Sequence, residues 1–322
     1  MEQRSHTLAG RILLAAWFLS CTIPTPAGEP SNKLPIKVFI LAGQSNMEGH
    51  GIVPLDPARN DGKGSLEYIV KAPPTRERFG HLVDAKGQWV VRNDVQIWYL
   101  GRTGGLTVGY GARPDRIGPE LQFGHVLGDH YDHPVLLIKL AWGGKSLAQE
   151  FRPPSAGGDV GPYYTELLTQ TREVLATLGT LFPQWDGRAY ELAGFGWHQG
   201  WNDRVNQTFN DAYEQNLAHF IRDIRRDLDR PDLPFVIAET GMSGHQETHP
   251  RALSLMRAQA AVARYEEFKD NVAFVGTKDF YRPKEVSPSG QAYHWNTNAE
   301  TYCLIGAAMA RALLELQPGT GR

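Results

Sequence analysis

The sequence predicts a doubly wound α/β/α sandwich, three layers built on a five-stranded parallel sheet. Five short runs are almost continuously apolar, without the alternation of a half-exposed strand, which suits strands covered on both faces. Helical segments alternate with these runs along the chain. At 322 residues, with 41% hydrophobic and 21% charged side chains, there is material for a packed core, which excludes disorder as the main state.

The five predicted strands are residues 37–42 (KVFILA), 135–141 (VLLIKLA), 192–197 (LAGFGW), 235–239 (FVIAE) and 272–276 (VAFVG). Residues 119–130 form the first predicted long helix, with Pro119 in its first turn and Leu121, Phe123, Val126 and Leu127 along it. A second helix is predicted over 163–178. A third runs over 209–228, where Tyr213, Leu217, Phe220, Ile221, Ile224 and Leu228 repeat at helical spacing. A fourth covers 253–268 and a fifth about 298–316, whose start fits a capping box of Thr297 with Glu300.

Two stretches break this rhythm. Residues 49–117 are long and rich in Gly, Pro and charge, with one extra strand expected at 95–100 (VQIWYL), and residues 142–162 read as loop. Both follow the carboxyl end of a predicted strand, where open α/β sheets place their ligands. Gly104-Gly105 reads as a turn, since no GxxxxGK[ST] phosphate loop occurs.

The start of the chain reads as an export signal, residues 1–27. Arg4 and Arg11 precede a ten-residue apolar run, 12–21, too short to span a bilayer, and Thr25-Pro26-Ala27 offers small residues for cleavage. This places the mature protein in the periplasm or outside the cell. Phe18-Leu19-Ser20-Cys21 resembles a bacterial lipobox weakly, a minor route to a lipid anchor on Cys21. Residues 28–36 are then a linker, 37–317 a single domain and 318–322 a disordered tail. After cleavage Cys303 would be the last cysteine, so no internal disulfide is expected. A net charge of −2 without a basic cluster argues against nucleic acid as a partner. His198 and His125 lack the paired spacing of a metal site, and no cofactor is expected. His219 is read as a surface or boundary residue of its helix.

The strongest local signal is Gly43-Gln44-Ser45-Asn46-Met47, directly after the first strand. A serine there can present its hydroxyl at the edge of the sheet, although such a serine is more often a helix cap. FILAGQSNMEG resembles the first signature block of the SGNH hydrolases, in the branch of sialate O-acetylesterases and acetylxylan esterases (carbohydrate esterase family six). Ala141-Trp142-Gly143-Gly144-Lys145-Ser146-Leu147, Trp197-His198-Gln199-Gly200 and Tyr293-His294-Trp295-Asn296 are similar to the later blocks of that branch, in the same order.

The resemblance implies a flavodoxin-like SGNH hydrolase fold with long insertions. It implies Ser45 as nucleophile and His294 as base and later acid. It also implies an oxyanion hole from the Ser45 and Gly144 amides, with Gly143 the next match, and the Gln199 carboxamide. Ester hydrolysis needs these three functions together. Two positions depart from the branch: Gln291 stands where many members have Asp, and Trp201 where Glu is common. The group orienting His294 is therefore open, with Asp203, Asp279 or a backbone carbonyl as candidates. Glu300 is assigned to the helix start.

Trp142, Trp201 and Trp295 flank the proposed site residues and are equally candidates for stacking on a sugar ring and for packing beneath the loops. The implied reaction is hydrolysis of O-acetyl esters on carbohydrates. A non-catalytic sugar-binding relative and an acyltransferase are the alternatives. A sialate substrate would ask for a cation facing its carboxylate, for which Lys145 and Arg152 are candidates.

Overall fold

A computed structural model describes Met1 and residues 33–317. The expected export signal, the start of the linker and the tail lie outside the described residues. In chain order the elements begin with β1 (Ile36–Gly43), α1 (Ser45–Glu48), β2 (Gly51–Ile52), α2 (Leu66–Ile69) and α3 (Thr75–Phe79). There follow β3 (Arg92–Tyr99), β4 (Arg102–Leu106), β5 (Arg116–Ile117), α4 (Glu120–His130) and β6 (Val135–Ala141). The second half holds α5 (Pro162–Ala176), α6 (Leu178–Leu181), β7 (Tyr190–His198), α7 (Trp201–Val205), α8 (Gln207–Asp227), β8 (Phe235–Ala238), α9 (Pro250–Val262), β9 (Val272–Val275) and α10 (Ala299–Glu315).

The central sheet has seven strands in the order β4-β3-β6-β1-β7-β8-β9. All five predicted strands are present and pair in parallel. The expected count of five is corrected to seven. The extra strand β3 pairs in parallel with β6, and β4 folds back antiparallel on β3. The turn of that hairpin falls at Leu100 and Gly101, both with positive φ. Gly104 and Gly105, expected as a turn, lie within β4. The edge glycines are tolerated because β4 pairs on one side only.

Alternation along β1 sends its side chains to two different cores. Ile36, Val38, Ile40 and Ala42 pack with Leu167 of α5, Leu217, Phe220 and Ile221 of α8 and Leu255 of α9. Phe39 and Leu41 pack with Phe123 and Leu127 of α4 and Ile305, Met309 and Leu313 of α10. These are the two faces of a three-layer sandwich. A third cluster, with Leu66, Ile69, Phe79 and Leu82, seats the 49–117 insertion against Leu121 and Cys303. The insertion is thus a packed part of the domain.

Helix starts follow side-chain caps. Asn206 Oδ1 accepts from the Phe209 amide at 3.1 Å, which begins α8 two residues before the predicted start. Asn298 Oδ1 accepts from the Glu300 and Thr301 amides. The cap of α10 is therefore Asn298, and the Thr297–Glu300 capping box is corrected. Glu300 instead receives both ends of the Arg282 guanidinium, at 2.9 and 3.0 Å. Among the described residues, no helix is long and apolar enough to cross a membrane.

Candidate active site

The parallel register brings three strand ends level. Gly43 of β1 pairs with Ala141 of β6 on one side and with His198 of β7 on the other. The segments that follow, Gln44-Ser45, Trp142-Gly143-Gly144 and Gln199-Gly200, therefore leave the carboxyl edge of the sheet side by side, where this fold class gathers functional groups. Gly43 is required there: a Cβ on it would lie 2.2 Å from the His198 carbonyl oxygen.

The neighbours of Ser45 clamp the turn in two directions. Gln44 is buried, and its Oε1 accepts from the Gly200 amide at 3.1 Å and the Asn202 amide at 3.3 Å. Asn46 is also buried. Its Nδ2 donates to the Tyr293 carbonyl at 3.1 Å, and its Oδ1 accepts from the Tyr302 hydroxyl at 2.9 Å. Tyr302 also donates to the carbonyl of His294 at 3.3 Å. Ser45 itself is half-buried, and among the described residues no hydrogen bond engages its hydroxyl. Its segment and that of His294 are thus tied through backbone and second-rank side chains. Ser45 and His294 are not bonded to each other, as is common in ligand-free sites.

The far side of α1 is anchored by Lys139, a charged residue inside an otherwise apolar strand. Its Nζ is fully buried and donates to the Glu48 carbonyl, the Tyr110 carbonyl and the Glu120 carboxylate, each at 2.7 Å. A buried ammonium persists only when its donors are matched in this way.

Gly144 is exposed and has φ +72°, a conformation that favours glycine, while an added Cβ would touch nothing. Its carbonyl accepts from Asn202 Nδ2 at 2.7 Å. Asn202, which sequence reasoning missed, thus holds the Gly144–Lys145 peptide, the one that follows the proposed donor amide.

The expected role of Gln199 as an oxyanion donor is corrected. Its Nε2 donates to the Asp203 carboxylate at 2.6 Å, to the Lys145 carbonyl at 3.0 Å and to Gln44 Oε1 at 3.3 Å, so both amide hydrogens are taken. Asp203 is corrected for the same reason. It is fully buried and accepts from Gln199, from the Leu147 amide at 2.8 Å and from the Ala148 amide at 2.9 Å. It braces the loop after β6 and does not meet the His294 ring. Burial pushes its carboxyl up to about 6, against the pull of these three bonds. Asp279 likewise does not orient His294, since it is exposed and pairs with His245 at 2.7 Å.

His294 lies in a strained segment. Trp295, Asn296 and Thr297 all have φ between +51° and +54°. Each such residue costs about 1–2 kcal/mol, and runs of them cluster at functional sites. Asn296 Nδ2 donates to the Arg282 carbonyl at 2.9 Å, and Thr297 Oγ1 to Ser289 Oγ at 3.0 Å. Trp295 is fully buried in the core beneath, which holds the bend and decides, of the two roles open to it, for packing over sugar stacking.

The His294 ring stacks on that of His50, centroids 3.8 Å apart and planes at 6°. Among the described residues no carboxylate bonds to His294. Burial pulls its pKa down to about 4, and burial with the neighbouring His294 and Arg116 takes His50 to about 3. Both rings are neutral at pH 7, so His294 is poised to accept a proton.

His294 and His50 line a cavity of about 410 Å³ with Tyr293, Gln291 and Arg113. Trp201 sits half-buried with its ring 5.6 Å from that of Tyr293, which leaves it beside the site. Trp142 packs on Phe151 and Tyr163. His198 is buried, and among the described residues its two ring nitrogens have no hydrogen-bond partner. His219 is half-buried, with Nδ1 2.8 Å from Ser155 Oγ, and His125 is buried beside His81. No cluster of three metal-ligating side chains occurs among the described residues.

A family model described as carbohydrate esterase, sialic acid-specific acetylesterase, matches residues 35–315. Among solved structures, a protein from Arabidopsis thaliana superposes with a TM-score of 0.57 at 17% identity, covering 87% of this chain and 98% of its own. A carbohydrate acetylesterase from Xanthomonas citri gives a TM-score of 0.50 at 14% identity, covering 86% of this chain and 55% of its own. Such identities establish a shared fold. No curated protein sequence matches the chain.

Proposed function

Because the chain belongs to the carbohydrate esterases described as sialic acid-specific acetylesterases, and so is a carboxylic ester hydrolase, we propose that it removes O-acetyl groups from sugars with Ser45 as nucleophile and His294 as base. Ser45 Oγ attacks the acetyl carbonyl carbon while its proton passes to the neutral imidazole of His294. The oxyanion is received by the Ser45 and Gly144 amides, with Asn202 and Asp203 holding the second loop in place. Collapse of the tetrahedral centre breaks the carbon–oxygen bond to the sugar. His294 returns its proton to the departing sugar oxygen, leaving acetyl-Ser45. A water deprotonated by His294 then releases acetate and restores the serine.

The observation that carries this reading is the Asn46–Tyr302 link, which binds the residue beside Ser45 to the backbone of Tyr293 and His294. With no carboxylate on its ring among the described residues, His294 acts in a dyad, its direction set by stacking on His50 and by the strained bend. A third group mainly orients and stabilises the imidazole, so a dyad retains the essential proton transfer. The charged and then apolar start of the chain supports an enzyme that acts outside the cytoplasm. Acetate release from a panel of O-acetylated sialosides and xylo-oligosaccharides tests the proposal. Release abolished by Ser45→Ala and by His294→Ala supports it, and release unchanged by either refutes it.

A further inference from the structure

Neither position that departs from the branch supplies an acid, since Gln291 and Trp201 carry no charge, and Asp203 and Asp279 are bonded elsewhere. A carboxylate nevertheless stands within the site. Glu48 closes α1, the four-residue helix that Ser45 opens. Its Oε2 lies 3.9 Å from His50 Nε2, and the two side chains are only 21% and 25% exposed. That same ring nitrogen is buried without a hydrogen-bond partner among the described residues. His50 thus meets Glu48 through a ring nitrogen and His294 through its face, 3.8 Å away between centroids.

The surroundings fix Glu48 and set its charge. A Cβ on Gly143 would lie 3.0 Å from its Oε2, so the carboxyl packs on the loop after β6, whose Gly143 amide donates to it. Burial raises the carboxyl above its ordinary value, while the Gly143 amide and the charges of Lys139 and Arg102 pull it down. Both cations are held in place. Lys139 donates to the carbonyl of Glu48 itself at 2.7 Å, and Arg102 to the carbonyls of Gly109 and Gly111 at 2.8 and 2.7 Å. Burial, then His294, Arg116, Arg113 and Lys139, all disfavour a proton charge on His50. The phenols of Tyr99 and Tyr302, pushed up by burial and by the nearby carboxylates, stay neutral.

We propose that Glu48 is the positioning carboxylate of this site and acts on His294 through His50, whose Nε2–H it accepts while the His50 ring supports His294 from below. This rests on the esterase reading and deepens it. A small rotation of the Glu48 carboxyl closes the 3.9 Å gap to hydrogen-bond length. The bond fixes the tautomer and the plane of His50. It also draws electron density into the His50 ring, and an aromatic face attracts a cation placed over it. His294 is such a cation only after it has taken the Ser45 proton, so the support acts in the transition state. No further proton moves: His50 keeps its Nε2 proton, Glu48 stays ionised, and His294 passes the serine proton to the departing sugar oxygen. Ser45 and its supporting carboxylate therefore come from one short helix.

Glu48→Gln tests this, because glutamine fills the same space and still accepts from the Gly143 amide while losing the charge. With p-nitrophenyl acetate as substrate, kcat is expected to fall about 10-fold with KM within about twofold of wild type. His50→Phe keeps a ring under His294 but has no N–H to give. In that background Glu48→Gln should change kcat less than about twofold, because the carboxylate has lost the group it works through. A kcat for Glu48→Gln within twofold of wild type overturns the proposal, and so does an equal loss in both backgrounds, which would assign Glu48 to bracing Gly143 alone. Proton NMR of the full chain at pH 7 reads the bond without turnover, with His50→Phe assigning the signal. A downfield, exchange-protected proton on His50 Nε2 is expected in wild type and is lost in Glu48→Gln. Its absence from wild type, or a proton on Nδ1 in its place, also overturns the proposal. If wild type shows this proton yet releases no acetate, the esterase reading fails and the Glu48–His50 unit stands without it.

Discussion

Asn46→Ala removes the side chain that joins the nucleophile turn to the histidine loop. It takes an acceptor at 2.9 Å from the buried Tyr302 hydroxyl, a donor at 3.1 Å from the Tyr293 carbonyl and a donor at 3.0 Å from Met242 Sδ. As a donor the hydroxyl is left with its longer bond to the His294 carbonyl. The two hydrogen bonds to oxygen, each worth about 1–1.5 kcal/mol, predict a stability loss of about 2–3 kcal/mol in urea unfolding at pH 7, to which the weaker contact with sulfur adds little. The effect on turnover should be larger than stability alone explains. The three left-handed residues after His294 are held partly by this tether, and a displacement of about 1 Å in a catalytic group costs about 100-fold in rate. We therefore expect kcat for an acetyl ester to fall about 100-fold under conditions where the variant is fully folded, with KM little changed. Tyr302→Phe is the control. In a double-mutant cycle with Asn46→Ala, the shared hydroxyl–amide bond should appear as a coupling of about 1 kcal/mol. A stability loss below about 0.5 kcal/mol, or a full loss with unaltered kcat, would refute the reasoning.

The remaining expectations are separate from this one. The acid limb of kcat/KM should fall near pH 4, because His294 works as a base in its neutral form and burial holds its pKa down to about 4; a limb near the ordinary histidine value of about 6.5 contradicts this. Asp203→Asn should lower kcat about 10- to 100-fold by loosening the Gly144 loop while leaving that acid limb in place, whereas Asp279→Asn should stay within about twofold of wild type. A shifted limb in either variant would restore that residue as the partner of His294. Gly43→Ala should prevent accumulation of folded protein, because its Cβ would strike the His198 carbonyl at 2.2 Å, while Gly144→Ala should fold with a cost of about 1–2 kcal/mol from backbone conformation alone. Circular dichroism and unfolding curves separate these two outcomes.

The parts of the fold legible in the sequence are those where burial is uniform. Residues 135–141 read as a covered strand even though Lys139 interrupts them, because six of the seven are apolar. What that pattern hides is that Lys139 closes a polar knot with Glu120, Glu48 and Tyr110, since its partners come from three separate segments. The hairpin of β3 and β4 was half legible. β3 is apolar in its second half, but β4 is RTGGL, an edge strand whose pairing needs no hydrophobic run.

In the site, the block after β1 and the glycines after β6 could be placed by motif, because each follows a strand end. The roles of Gln199 and Asp203 could not. They lie four residues apart, and it takes the course of α7 to show that one satisfies the other. The fate of Trp295 was equally hidden, because a tryptophan in a loop looks the same from sequence whether it faces solvent or the core. The left-handed bend decides that, and its residues, Trp, Asn and Thr, carry no glycine signal. His50 was missed for a similar reason. A lone histidine just past a motif has no spacing to mark it, and only its stacking on His294 reveals it.

Covalent labelling probes the serine directly. Incubation with a fluorophosphonate ester, followed by digestion and mass spectrometry, should place the adduct on the peptide containing Ser45, with labelling slowed sharply in His294→Ala. An adduct on another residue, or labelling of Ser45 at the same rate without the imidazole, would contradict a mechanism in which His294 activates Ser45.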